Sequence, residues 1–121
     1  MELKGKVKSG FGSASFWVNK INPIFEKKYH MKLFLGTLNI ELDNDYVLDD
    51  EEKIAANEYG GIFDVLVKEC EILGHKGYIL RAEKNNKEGG DHPLTIIEIV
   101  SDISLRKTNN LHDNDSITLH I

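Results

Sequence analysis

The sequence predicts a mainly β protein built as a small barrel, and three observations support this fold class. Short segments in which apolar and polar residues alternate recur along the chain, with turn-forming residues between them. Few segments show helical spacing. Strands do not alternate with long helices, as they do in a doubly wound nucleotide-binding fold, and the Walker A pattern is absent. With 121 residues, we expect one domain that spans residues 1–121.

The first third of the chain predicts two strands, a helix and a third strand. Residues 3–8 alternate apolar residues or glycine with lysine, residues 9–13 form a loop, and residues 14–18 form a second strand. Asn22 and Pro23 are typical of a helix start, as cap and first helical residue. That helix should be short and end near Met31. Residues 36–42 follow as the next strand.

The rest of the chain predicts further strands around one long loop. Residues 62–73 are rich in strand formers, residues 74–77 are typical of a hairpin turn, and residues 78–81 continue as a strand. Residues 83–93 are polar and long enough to act as a lid. Residues 95–100 form a buried strand, Asp102 is expected to cap a short helix, and residues 116–121 form the last strand.

Bulk properties exclude several classes of protein. The net charge of −5 and the pI of about 5.5 disfavour non-specific nucleic-acid binding, which needs a positive field. The single cysteine, Cys70, excludes an intramolecular disulfide and is interpreted as a strand residue. The N-terminus lacks an apolar signal region, and no apolar run approaches the roughly 20 residues that span a bilayer. We therefore expect a cytoplasmic protein without a membrane or nucleic-acid partner.

The segment from Gly36 to Leu42 is the most informative one. Its strand alternation places Thr37, Asn39 and Glu41 on one face and three apolar residues on the other. A hydroxyl, a carboxamide and a carboxylate suit Mg²⁺ better than zinc. The alternative is an ordinary solvated strand face.

Two further segments contain candidate functional residues. Glycines at positions 10 and 12 would let the backbone approach phosphate oxygens, although a glycine-rich hairpin turn has the same composition. Glu98 stands between isoleucines in a strand that is otherwise apolar. It either faces solvent or marks a functional site, because a buried charge is rare without a partner.

These segments, taken in order, resemble the CTP-dependent riboflavin kinases of archaea. The blocks are Val-x-Ser-Gly-x-Gly at 7–12, Gly-Thr-Leu-Asn at 36–39, Ile-Ile-Glu-Ile at 96–99 and Leu-Arg at 105–106. The resemblance covers nearly the whole chain. It implies a six-stranded cradle-loop β-barrel with one or two short helices. It also implies synthesis of FMN from riboflavin, with CTP as phosphoryl donor and Mg²⁺ as cofactor.

The resemblance also implies roles for individual residues. Thr37 and Asn39 would ligate Mg²⁺. Glu98 would contact the flavin and orient, or accept a proton from, its terminal hydroxyl, and His92 would lie at the flavin entrance. The nucleotide would be bound by two segments, namely Gly10, Phe11, Gly12, Ser13, Ala14 and Ser15, and Ser104, Leu105, Arg106 and Lys107.

The chain departs from the family pattern at three positions. Ser13 and Ala14 stand where the family usually has Glu and often Gly, and Lys107 replaces an acidic residue. These departures motivate the alternative of a non-catalytic flavin- or nucleotide-binding barrel. A DNA-binding barrel is a third hypothesis, which the net charge disfavours. The expected partners are riboflavin, FMN, CTP and CDP, and the expected state is a monomer or weak homo-oligomer.

Overall fold

A computed structural model describes residues 1–10, 14–49 and 52–121. Within these ranges the chain forms seven strands and three α-helices. The strands are β1 (Glu2–Lys8), β2 (Leu38–Leu42), β3 (Glu52–Ile54), β4 (Val65–Ile72), β5 (His75–Ala82), β6 (Ile96–Val100) and β7 (Ser116–His120). The helices are α1 (Ala14–Tyr29), α2 (Ala56–Tyr59) and α3 (Leu105–Thr108), with a 3₁₀ turn at Glu83–Asn85.

Six of these strands close into an antiparallel barrel, which confirms the predicted fold class. The ring order is β4, β5, β6, β2, β1 and β7, and β7 returns to pair with β4. The closing contact involves two residue pairs, whereas β4 and β5 share eight. The short β3 pairs with the first residues of β4 and lies outside the ring.

The two faces of the barrel wall bury different groups of apolar residues. Alternate strand residues fill the interior, among them Val7, Ile40, Ile79, Ile97 and Leu119. Their neighbours along the strands point outward, and part of this outer face forms a second core with α1. That second core includes Val65, Leu80 and Val100 from the strands.

The structure corrects the prediction for residues 14–31. Residues 14–18 are helical, not a strand, and α1 runs without a break through Pro23. Val18, Ile21 and Phe25 recur at helical spacing and are fully buried against the barrel. Their burial outweighs the hydrogen bond that proline removes inside a helix.

Asn22 is also not the predicted helix cap. It lies inside α1, and its side-chain amide pairs with both backbone groups of Leu33, donating to the carbonyl at 3.1 Å and accepting the N–H at 2.8 Å. This contact fixes the chain where it returns from α1 toward β2. Such a pairing eleven residues apart leaves no local signal in the sequence.

Two smaller predictions are corrected as well. The hairpin turn between β4 and β5 is Leu73–Gly74, one residue earlier than predicted, and both residues have positive φ. Ser104, not Asp102, caps α3, because its hydroxyl accepts the Lys107 N–H at 3.2 Å.

Cys70 is a strand residue as predicted. It lies buried in β4, and burial raises the pKa of its thiol to about 12. None of the described helices is long and apolar enough to cross a bilayer.

Candidate active site

Three neighbouring strands place a row of three side chains, two of them polar, on the outer face of the barrel. Glu98 on β6 lies directly opposite Asn39 on β2 and directly opposite Leu80 on β5. Residues opposite each other in an antiparallel sheet have Cβ atoms about 4.5–5.5 Å apart. The carboxylate of Glu98 and the carboxamide of Asn39 are therefore neighbours, although 59 positions separate them in the sequence.

This row forms the floor of a cavity of about 410 Å³, which we call the outer cavity. α1 supplies Trp17 to its wall, and the segment before β4 supplies Phe63. The long loop at residues 83–93 supplies Lys84, Asn85 and His92. The cavity combines an aromatic and aliphatic lining with a few polar groups, which is the usual composition of a small-molecule site.

Glu98 is the most unusual group in the outer cavity. Burial raises the pKa of its carboxyl group above the ordinary value for glutamate. Within the described part of the chain, no hydrogen bond or ion pair reaches this carboxylate. A desolvated carboxylate without a partner is costly to maintain, and such groups are typical of proton-accepting sites.

Thr37 and Asn39 lie together at the edge of the outer cavity. Asn39 is 9% exposed, and its Nδ2 donates to Thr37 Oγ1 at 3.3 Å. A half-turn of the amide exchanges its nitrogen and oxygen, so the pair can also present two neutral oxygens. Neutral oxygens that leave room for water and phosphate fit Mg²⁺, which rarely sits in a cage of protein ligands alone.

Gly10 closes on this pair from the other side. A Cβ atom at Gly10 would lie 2.4 Å from Asn39 Nδ2, closer than any side chain could tolerate. Gly10, the first residue of the predicted phosphate loop, therefore lies next to the side chain of Asn39. β1 and β2 bring them together, because Lys8 lies opposite Asn39.

A second, shallow depression lies on the other side of Thr37, and we call it the α3 groove. Its volume is about 20 Å³, and its lining includes Phe34, Gly36, Thr37, Ser104 and Arg106. Leu105 also borders it, but its side chain is 4% exposed and belongs to the barrel core. Lys107 is exposed on α3. Thr37 thus borders the α3 groove, and its hydrogen-bond partner Asn39 lines the outer cavity.

The remaining predicted site residues fall into two groups. Phe11, Gly12 and Ser13 lie outside the described residues. Ala14 and Ser15 form the start of α1, less than one turn from Trp17. The N–H groups of a first helical turn have no partner within the helix and can bind an anion.

Arg81, which sequence reasoning missed, positions the loop above the outer cavity. It is 7% exposed and donates to the carbonyls of Leu94 and Ile96, both at 3.1 Å. It also donates to Tyr46 O and to Asn86 Oδ1. The side chain of Asn86 in turn pairs with both backbone groups of Leu48. An arginine at the end of an apolar strand was the only signal for this arrangement.

Sequence reasoning also missed three further residues of the site, namely Trp17, Phe63 and Asp113. Trp17 was assigned to a strand, and the aromatic character of Phe63 gave no indication of a cavity. Asp113 lies in a turn, and its carboxylate accepts hydrogen bonds from Ser9 at 2.7 Å and from Arg106 at 2.5 Å. These contacts depend on tertiary structure.

A family model and individual relatives all indicate the same protein family. The sequence model of the CTP-dependent riboflavin kinase family, described as domain of unknown function DUF120, matches residues 7–121. A riboflavin kinase of Staphylothermus marinus is 33% identical over the whole chain, which covers 92% of that protein. One from Methanothermobacter thermautotrophicus is 30% identical over 95% of the chain and 94% of its own length. The chain spans only 60% of a riboflavin kinase from Pyrobaculum aerophilum, at 30% identity.

Proposed function

This chain belongs to the family of CTP-dependent riboflavin kinases, and we propose on that basis that it transfers the γ-phosphoryl group of CTP to the 5′-hydroxyl of riboflavin. The products are FMN and CDP. The observation that carries the proposal is that three separate segments meet at Asn39: Gly10 approaches its side chain, and Glu98 lies opposite it in the wall of the outer cavity.

The acceptor would bind in the outer cavity. The flat isoalloxazine ring is apolar enough to lie between Trp17 and Phe63, and its ribityl chain would reach toward Glu98. His92 lines the same cavity and would contact the flavin at its entrance. A cavity of about 410 Å³ is within the range of pockets that bury a ligand of this size.

The donor would bind on the other side of the Thr37–Asn39 pair. Backbone N–H groups in residues 10–15 would hold the phosphates, and Ser104, Leu105, Arg106 and Lys107 would hold the rest of the nucleotide. Arg106 borders the α3 groove and would add a positive charge beside the phosphates. Mg²⁺ held by Thr37 and Asn39 would neutralise the phosphate oxygens as negative charge develops.

Glu98 would act on the acceptor hydroxyl. Its carboxylate accepts the proton of the 5′-hydroxyl while that oxygen forms a bond to the γ-phosphorus and the bond from phosphorus to the CDP oxygen breaks. Burial raises the pKa of Glu98 from its ordinary value toward neutral pH. A carboxylate with a higher pKa is a stronger proton acceptor, which favours this transfer.

The test is to incubate the pure protein with riboflavin, Mg²⁺ and each of the four nucleoside triphosphates, and to separate the flavins by chromatography. We expect FMN with CTP and little with the other donors. FMN from ATP alone would contradict only the choice of donor. Quenching of flavin fluorescence without any product would instead support the non-catalytic binding barrel.

Magnesium dependence, cellular context and assembly complete the proposal. FMN formation should stop when EDTA removes the metal and return with added Mg²⁺. We propose that residues 1–121 act as one domain, in the cytoplasm, as a monomer or weak homo-oligomer. Sedimentation at several protein concentrations measures the last of these.

A further inference from the structure

One carboxylate connects Arg106, in one of the segments that the proposed function assigns to the nucleotide, with Ser9, the residue just before the other segment. Asp113 lies in the turn between α3 and β7. Its Oδ2 accepts the hydroxyl of Ser9 at 2.7 Å, and its Oδ1 accepts Nη2 of Arg106 at 2.5 Å. Ser9 directly precedes Gly10, and Arg106 borders the α3 groove. Asp113 thus touches both sides of the donor site.

The turn that carries Asp113 is itself fixed to the end of β1. The N–H of Asn114 donates to the carbonyl of Val7 at 2.8 Å, and the N–H of Val7 donates to the carbonyl of Asp115 at 2.9 Å. Lys8 Nζ adds a bond to Asn114 Oδ1 at 2.9 Å. The position of Asp113 is therefore set by the same strand that delivers Gly10 to Asn39.

We propose that Asp113 is a positioning residue for the donor nucleotide, holding Arg106 and the start of the glycine segment at a fixed separation. This inference rests on the proposed function and goes beyond it, because no predicted site residue lies in this turn. Asp113 itself does not touch the nucleotide in this proposal. It acts through Ser9 and Arg106.

The geometry favours positioning over competition for the same cation. Asp113 engages one terminal nitrogen of Arg106, and the guanidinium has further N–H donors for phosphate. Arg106 borders the α3 groove while it is paired, so it does not have to leave Asp113 to face a ligand there.

The geometry also favours positioning over a purely structural role. The side chains of Arg106 and Asp113 are 40% and 47% exposed, and an ion pair this exposed contributes little to the free energy of folding. Removing it should therefore change nucleotide binding without unfolding the protein.

The test compares Asp113→Asn with wild type in steady-state FMN synthesis. We expect the KM for CTP to rise about five- to tenfold, while kcat and the KM for riboflavin change less than twofold. Asp113→Glu should recover part of the loss. The matched control is Glu69→Gln, which removes an exposed ion pair with Lys76 on the β4–β5 hairpin and should leave all three constants unchanged. Thermal midpoints should agree among all four proteins.

Two results would overturn the inference. An unchanged KM for CTP would show that the contact does not position the donor site, and a lower KM would show that Asp113 competes with phosphate for Arg106. Direct titration of CTP onto the protein separates this inference from the proposed function. If wild type makes no FMN from any donor, the proposed function fails, and equal CTP affinity in wild type and Asp113→Asn would then reject the inference as well.

Discussion

The two sides of the candidate site are built differently. The outer cavity holds about 410 Å³, and the buried Arg81 fixes the loop above it through backbone carbonyls. The α3 groove has a volume of about 20 Å³. Side chains that are about half exposed connect the residues of this groove to the end of β1. The proposed acceptor side is therefore an enclosed cavity, and the proposed donor side is an open surface that carries a few cations and hydroxyls.

The difference follows from what each substrate must bury. A flavin ring gains binding free energy from desolvation, so it needs walls that remain in place. A triphosphate is strongly hydrated, and its recognition depends on directed hydrogen bonds and positive charge instead of volume.

Replacing Glu98 by Gln should give the largest effect, on chemistry alone. The amide keeps the shape but cannot accept the proton, so kcat should fall by about 10²–10⁴-fold. CTP affinity, measured by titration, should stay unchanged because Glu98 lies on the acceptor side. Glu71→Gln, an exposed glutamate on β4, is the matched control. A kcat within threefold of wild type would remove Glu98 from the mechanism.

Replacing Gly10 by Ala should disturb the point at which the two sides meet. The added methyl group would lie 2.4 Å from Asn39 Nδ2, so either the β1 end or the amide must move. A displacement of about 1 Å at a reacting centre costs on the order of 10²-fold in rate. The measurement is kcat at saturating riboflavin and CTP, with circular dichroism to verify folding. Full activity would place the phosphates away from this contact.

Replacing Arg81 by Met should affect the acceptor side and leave the donor side intact. The half-buried carbonyl of Ile96 would lose a donor, and the buried carbonyl of Leu94 would keep only the N–H of Tyr46, which together cost about 1–3 kcal/mol in the free energy of unfolding. The KM for riboflavin should rise and the KM for CTP should not. Asp91→Asn is the control, because it removes an exposed ion pair with Lys84 in the same loop and should change stability little. Urea unfolding and both KM values test the prediction. A rise in both would contradict the separation of the two sides.

The smallest effect concerns the stability cost of Glu98. Burial raises its pKa in the folded protein, so the folded state binds this proton more tightly than the unfolded state does. Glu98 therefore contributes stability at low pH that is lost as the pH rises from the ordinary carboxyl range through the raised pKa. Glu98→Gln should unfold at a higher urea concentration than wild type above that range, and the difference should shrink in acid. An equal difference at every pH would contradict this account.

Local patterns predicted the strands but not the first helix. Alternation at residues 3–8, 38–42 and 116–120 reflects one buried and one outward face, and the structure bears this out. Residues 14–18 were assigned to a strand, and the helix was expected to start only at Asn22 and Pro23. The deciding factor was the burial of Val18, Ile21 and Phe25 against the outer face of the barrel, a tertiary contact that local patterns do not encode.

The candidate site was predictable as residue types but not as a shape. Thr37, Asn39 and Glu98 stood out as polar groups in apolar strands. Their adjacency depends on the register of β2 with β6, which strand patterns alone do not determine. Trp17, Arg81 and Asp113 act through contacts distant in sequence, so single-residue reasoning could not find them.

The closure of the barrel has a consequence for where it can yield. Only two residue pairs join β7 to β4, and in the ring of six strands β7 is diametrically opposite β6, which carries Glu98. Local opening of the barrel by thermal motion should begin between β7 and β4, because few interstrand hydrogen bonds need to break there. The wall that lines the outer cavity can then stay rigid while the opposite side of the barrel opens and closes.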